Sequence, residues 1–249
     1  MGFLDKWMQA TKKSARKGRS CCAVIVAAGS GKRMGTSVNK QFLEIQGKPV
    51  LAYTLEAFEQ CDVIDGIIVV AKSDEIPLVA DLIARYDISK GKKVVAGGPT
   101  RQDSVWNGLM AAEEYDFVAI HDGARPFVHE KLIQKAVEEA WLHQAAAVGM
   151  PVSDTIKRCD VHGQIVETVD RSDLWAVQTP QVFDRALLIG AHRYVQDRGL
   201  AITDDCMAIE AMGGTVRMVQ GDISNIKITT AGDLPHGEAI LAWREEEEA

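Results

Sequence analysis

The chain has 249 residues, 47% of them hydrophobic and 25% charged, with a formal net charge of −7. That length suits one large α/β domain or two small ones, and that composition suits an ordinary packed core. There is no global basic excess to suggest a nucleic-acid partner and no apolar run near the roughly 20 residues that span a bilayer.

Residues 1–20 carry six Lys/Arg, at 6, 12, 13, 16, 17 and 19, against one acid, Asp5. Without the apolar core of a signal peptide, they read as a solvated basic extension. Phe3, Leu4, Trp7 and Met8 could make one amphipathic turn at a membrane surface, but no stable membrane association is expected. Five cysteines without a C-x-x-C, and six histidines without an H-x-x-x-H, predict reduced thiols in a cytoplasmic protein with no structural zinc.

The apolar run 23–28, bounded by glycine, suits a strand buried on both faces, as in a parallel sheet. Gly29 and Gly31 then permit a tight turn that brings backbone N–H groups near a ligand, and Lys32, Arg33 and Lys40 add cations. This is a place to hold phosphates. It is neither a dinucleotide fingerprint, because Met34 stands where the third glycine belongs, nor a Walker loop, because the spacing is wrong. Taken alone, it also reads as an ordinary strand-to-helix turn with a solvated basic edge.

Pro49 starts a predicted helix with Val50, Leu51, Leu55 and Phe58 at helical spacing. Strands follow at 66–71, 93–96, 117–121 and 145–150, alternating with helices at 74–86, 100–114 and 130–143. Such alternation predicts βαβ units and a mostly parallel, Rossmann-like sheet flanked by helices. Ligands of such sheets sit beyond the carboxyl ends of strands, where the glycine turns 29–31, 97–98 and 123 all fall. After Pro151 the rhythm changes. Residues 155–159 and 165–169 read as a hairpin arm, about 153–171, standing away from the sheet. Residues 175–183 return toward the core and a helix covers 184–196. Thr203 is placed as the cap of a helix to Met212, with strands at 214–219 and 225–229 and a last helix at 233–243. Residues 244–249 form an acidic tail, leaving 21–243 as a single domain.

Three more motifs carry chemistry. G-G-P-T-R-Q-D-S, residues 97–104, joins a glycine turn to a helix start; H-D-G-A-R-P, residues 121–126, puts a carboxylate and a guanidinium on a strand-end loop; N-I-K-I-T, residues 225–229, sets a lysine among apolar neighbours. Singly, each has a structural reading: Asp122 as a turn cap, Arg125 in an ion pair, Lys227 reaching out to solvent.

Together with D-T-I-K, V-D-R, Q-T-P-Q-x-F and T-D-D in this order, from about Cys22 to Leu241, they resemble the 2-C-methyl-D-erythritol 4-phosphate cytidylyltransferase family of the non-mevalonate isoprenoid pathway. The first loop is similar to that of sugar-phosphate nucleotidyltransferases. The resemblance implies CTP and a polyol phosphate as substrates. Ala27, Ala28, Gly29, Gly98 and Ser104 would receive the cytidine, Arg101 would support its pocket, and Asp122 and Gly123 would lie near the ribose. Arg33, Lys40 and Lys227 would be the catalytic cations around the triphosphate; Arg125, Thr155, Arg171, Thr179 and Thr203 would hold the sugar phosphate. It further implies Mg2+ or another divalent cation held mainly by nucleotide phosphates, and a homodimer formed through the arm. Ribitol-5-phosphate cytidylyltransferase shares most of these motifs and stays open, as does a nucleotide-binding regulator without catalysis, which this spread of cations argues against. An oxidoreductase is disfavoured by Met34, and a fused downstream enzyme is not expected at this length. Three positions depart from some members: Asn39 replaces a proline, Gly123 an alanine and Pro99 an acid in the base pocket.

Overall fold

The computed structural model describes residues 18–29 and 39–248. The amphipathic turn around Phe3 and Met8 and the loop residues Gly31, Lys32, Arg33 and Met34 lie outside the described residues.

In chain order the strands are β1 (Cys21–Val26), β2 (Glu44–Ile45), β3 (Lys48–Pro49), β4 (Gly66–Ala71), β5 (Gly91–Ala96), β6 (Phe117–Asp122), β7 (Ala145–Pro151), β8 (Ile156–Cys159), β9 (Ile165–Val169), β10 (Trp175–Asp184) and β11 (Arg217–Gln220). The helices are α1 (Val50–Gln60), α2 (Ile76–Arg85), α3 (Arg101–Ala111), α4 (Glu130–His143), α5 (Arg185–Asp197), α6 (Asp205–Ala211) and α7 (Asp233–Glu248). Seven strands make one sheet in the order β11-β7-β10-β6-β1-β4-β5. All neighbours are parallel except β10, which runs antiparallel to both β6 and β7. None of the described helices is long and apolar enough to cross a membrane.

The apolar runs that predicted strands are buried because helices cover both faces of the sheet. Cys21, Ala23 and Ile25 of β1 face Leu55 and Phe58 of α1 and Ile133 and Val137 of α4, while Cys22 and Val24 face Val105 and Leu109 of α3 and Leu188 and Val195 of α5. Gly108 lets α3 approach closely: a Cβ there would collide with Val24 Cγ1 and Val70 Cγ2. A third cluster, Ile45, Val50, Phe127 and Ile228, joins the small β2–β3 ribbon to α7.

Three expectations change. Asp204, not Thr203, caps α6, its carboxylate accepting the Met207 N–H at 3.0 Å. Residues 225–229 are not a strand: the segment lies against the 122–128 loop, its Ile228 N–H bonded to Ala124 O at 2.8 Å, and Ile228 packs into the third cluster. The final helix continues through the acidic residues to Glu248.

The arm is the antiparallel pair β8–β9. Its base is closed by Pro151 opposite Trp175 and by the Val152 N–H donating to Leu174 O at 3.0 Å. Val161, Ile165 and Val166 on it are exposed.

Candidate active site

The carboxyl ends of β1, β5 and β6 open onto a cavity of about 380 Å³. β1 delivers Ala27, Ala28 and Gly29; the Ala27 N–H extends the sheet by bonding Val70 O at 2.7 Å. β5 delivers Gly97 and Gly98. A Cβ at Gly97 would collide with that of Ala28, so glycine is required for the two strand ends to lie together. A reciprocal cap starts α3: Thr100 Oγ1 accepts the Asp103 N–H at 3.1 Å, and Asp103 Oδ2 accepts the Thr100 N–H at 3.1 Å. One turn in, Ser104 Oγ donates to Thr100 O at 2.9 Å and accepts the Gly98 N–H at 3.1 Å, fixing the glycine turn.

β6 ends at Asp122, whose carboxylate is surrounded by cations. Lys227 Nζ donates to Oδ2 at 2.6 Å, Arg125 Nε lies 3.7 Å from the same oxygen, and Arg101 Nε lies 3.7 Å from Oδ1. Burial alone would raise this carboxyl; Lys227, Arg101 and Arg125 outweigh it and hold it down at about 2. Lys40 is buried at the cavity wall and donates to Ile228 O at 3.1 Å. Asn39 Nδ2 ties the two ends of the phosphate loop, donating to Gly29 O at 3.1 Å and to the Glu75 carboxylate at 2.9 Å.

The loop carrying Asp122 is set by a buried relay. Burial lowers the His121 imidazole to about 4, so it is neutral at pH 7. Its Nε2 faces Arg125 O at 3.1 Å, a carbonyl that can only accept, so Nε2 carries the proton. Nδ1 then accepts from Thr179 Oγ1 at 3.0 Å, and Thr179 Oγ1 accepts the Asp122 N–H at 3.2 Å. Arg125 Nη1 donates to Asn225 O at 2.8 Å, joining this loop to the segment that carries Lys227.

Of the residues singled out from sequence, Ala28, Gly29, Lys40, Gly98, Arg101, Ser104, Asp122 and Lys227 line the cavity. Ala27 and Gly123 are buried just behind it. Arg125 reaches it through Asp122, and Thr179 is buried, its hydroxyl engaged by His121 and Asp122. Thr203 is exposed beside α6, and Thr155 and Arg171 are exposed on the arm, Arg171 bonded to Ser153 O. None of these last three is among the cavity's lining residues. Gln41 and Thr229 line the cavity although neither was singled out as a site residue. Their signal was adjacency: each lies within two residues of a flagged lysine.

A family model for 2-C-methyl-D-erythritol 4-phosphate cytidylyltransferase matches residues 21–243. The chain belongs to that family. A cytidylyltransferase of this name from Halalkalibacterium halodurans is 51% identical over 223 residues, 89% of this chain and 97% of the relative. One from Caldanaerobacter subterraneus is 47% identical over 221 residues, 88% of this chain and 97% of the relative. The crystal structure of 4-diphosphocytidyl-2C-methyl-D-erythritol synthase from Anaerococcus prevotii superposes with a TM-score of 0.79 at 32% identity, covering 90% of this chain and 99% of that one. Membership in the cytidylyltransferase family makes this chain a nucleotidyltransferase of the isoprenoid precursor pathway.

Proposed function

We propose that the cavity is the CTP site, and that CTP reacts there with 2-C-methyl-D-erythritol 4-phosphate to give 4-diphosphocytidyl-2-C-methyl-D-erythritol and pyrophosphate. The observation that carries this assignment is the meeting of Lys40, Arg101 and Lys227 with the glycine turns of β1 and β5 in one cavity. In the reaction, a phosphate oxygen of the polyol phosphate attacks the α-phosphorus of CTP. A new O–P bond forms, the α-phosphorus bond to the bridging oxygen breaks, and pyrophosphate leaves with the electron pair. A phosphate monoester has a second pKa near 6, so the nucleophile is already an anion and needs no general base.

What the reaction needs is alignment and relief of repulsion between two anions. Lys40 and Lys227 supply positive charge at the cavity wall, and Arg33 belongs with them by its place in the motif. Asp122 is the single carboxylate among the described lining residues, and no group of three or more His, Cys, Asp or Glu able to hold a metal exists among the described residues. This donor set fits a divalent cation carried by the nucleotide phosphates, with Asp122 as its protein neighbour, rather than a protein cage. Such an ion, Mg2+ or another divalent cation, would neutralise phosphate charge.

The arm belongs to the same proposal. A two-stranded hairpin is marginal by itself in water, and Val161, Ile165 and Val166 lie exposed on it. A homodimer in which each arm reaches the other subunit would cover them and bring Thr155 and Arg171 to the partner's polyol-phosphate site. Arg125, Thr179 and Thr203 would serve that site from the cavity's own subunit. The enzyme is expected to work in the cytoplasm.

The test is pyrophosphate release from CTP and Mg2+ with each polyol phosphate. Turnover with 2-C-methyl-D-erythritol 4-phosphate is expected. Faster turnover with ribitol 5-phosphate would reassign the substrate, and none with either would end the proposal.

A further inference from the structure

Among the described residues, a buried charged cluster backs Arg101 behind the cavity wall. Asp205, the first residue of α6, is fully buried, and both its carboxylate oxygens are engaged. Oδ2 accepts from Arg101 Nη1 at 2.9 Å; Oδ1 lies 3.1 Å from Nε2 of His192, which is also fully buried. The Asp205 N–H donates to Gln181 Oε1 at 3.1 Å, and Gln181 Nε2 returns a bond to Asp204 Oδ2 at 2.9 Å. So Gln181 of β10 holds the start of α6 by its backbone and by Asp204, His192 of α5 holds the Asp205 carboxylate itself, and that carboxylate grips the guanidinium at the start of α3. Burial alone would raise the Asp205 carboxyl, but Arg101 and His192 outweigh it and hold it below the ordinary range.

The geometry ranks Arg101's two partners. Asp205 is within hydrogen-bond distance at 2.9 Å; Asp122 is at 3.7 Å, an ion pair only. Burying an ionic cluster is a poor route to stability, since well-packed apolar residues often do as well or better. What an ionic cluster supplies is direction. His192 sits on the apolar face of α5, beside Leu188, Ala191 and Val195, where an aliphatic side chain would otherwise be expected. We infer that Asp205, oriented by His192 and Gln181, is a positioning residue for Arg101, and that it sets nucleotide affinity without touching nucleotide. This rests on the reading of the cavity as the CTP site.

The experiment is calorimetric titration with CTP of the full-length protein and of Arg101→Ala, Asp205→Asn and the double variant. Each single change should weaken CTP binding about 10- to 100-fold, as loss of a charge-assisted hydrogen bond does. The double variant should be no weaker than Arg101→Ala alone, because Asp205 acts through that arginine. The KM for the polyol phosphate at saturating CTP should stay at its wild-type value in Asp205→Asn. Wild-type affinity in Asp205→Asn, additive losses in the double variant, or an equal rise in KM for both substrates would overturn the inference. Arg101→Ala binding CTP as the wild type does would overturn it together with the reading of the cavity. If Asp205→Asn does not fold, the pair His192→Leu and His192→Gln decides. Leucine should weaken CTP binding and glutamine, which keeps an N–H donor, should restore most of it; equal affinity in both would overturn the inference.

Discussion

The Lys227 ammonium stands 2.6 Å from Asp122 Oδ2, 105 residues away in sequence, so the carboxylate of the cavity is neutralised by a lysine from a segment outside the sheet. The pair gives Lys227 a definite place before any nucleotide arrives. A preorganised cation costs no reorganisation when charge develops on the leaving phosphate.

Lys227→Ala is therefore expected to lower the maximal rate about 100- to 1000-fold, the usual cost of one transition-state contact. Its circular dichroism should stay near wild type, while its melting temperature should fall modestly, because the buried Asp122 carboxylate loses its nearest cation but keeps Arg101 and Arg125 beside it. Wild-type turnover in a folded variant would assign the lysine to structure alone.

Acid stability should show two windows. His121 is held at about 4 by burial, against roughly 6.5 when unfolded. Between these values the unfolded chain binds a proton that the folded chain does not, so stability rises as pH goes from 4 to 6.5. Asp122, held at about 2, contributes stability that is full above roughly pH 3.9 and is lost as pH falls toward 2. Urea unfolding between pH 7 and pH 4 should lose less stability in His121→Gln than in wild type, by up to about 3 kcal/mol. Parallel pH profiles in the two proteins would count against a neutral buried imidazole.

Gly108→Ala should destabilise the fold by about 1–3 kcal/mol through overpacking. The added methyl would press on Val24 and Val70 beneath α3. Because α3 begins at Arg101, CTP binding should weaken as well. Chemical denaturation measures the first effect and titration the second; an unchanged unfolding midpoint would mean that α3 can lift at no cost.

Mixing two inactive variants tests the arm. If Arg171 acts across a dimer interface, a hybrid of Arg171→Ala with Lys40→Ala has one site with both lesions and one with neither. Random exchange at equal amounts makes about half the dimers hybrids. Activity should then return to roughly a quarter of wild type. A mixture that exchanges subunits and stays dead would put Arg171 and Lys40 in the same subunit's site.

The sequence was most readable where one period dominates. Strand 66–71 and helix 130–143 fall where their patterns put them, because each buries a continuous run or a single face. The site lining was readable for a related reason: glycine turns at strand ends mark a ligand crevice in any parallel sheet. What escaped depended on contacts distant in sequence. Residues 225–229 look like a strand, yet their hydrogen bond goes to Ala124 and their apolar side chains to α7 and the β2–β3 ribbon. Thr203 and Asp204 are both good caps; Asp204 is the one that accepts the Met207 N–H, and Gln181, distant in sequence, holds its other oxygen. The pairing of Asp205 with Arg101 and His192 spans 104 and 13 residues and leaves no local mark.

The closed base of the arm has a practical consequence. Pro151 and Trp175 are already opposite one another as neighbours on β7 and β10, and Val152 and Leu174 continue that pairing for one more hydrogen bond. The intervening residues leave and re-enter the sheet at one point, so a two-residue turn could replace them without moving any strand. An excised form is expected to keep the seven-stranded sheet and the cavity beyond β1, β5 and β6, none of whose described lining residues lies on the arm, so the arm is a separable module whose contribution can be removed or exchanged by itself.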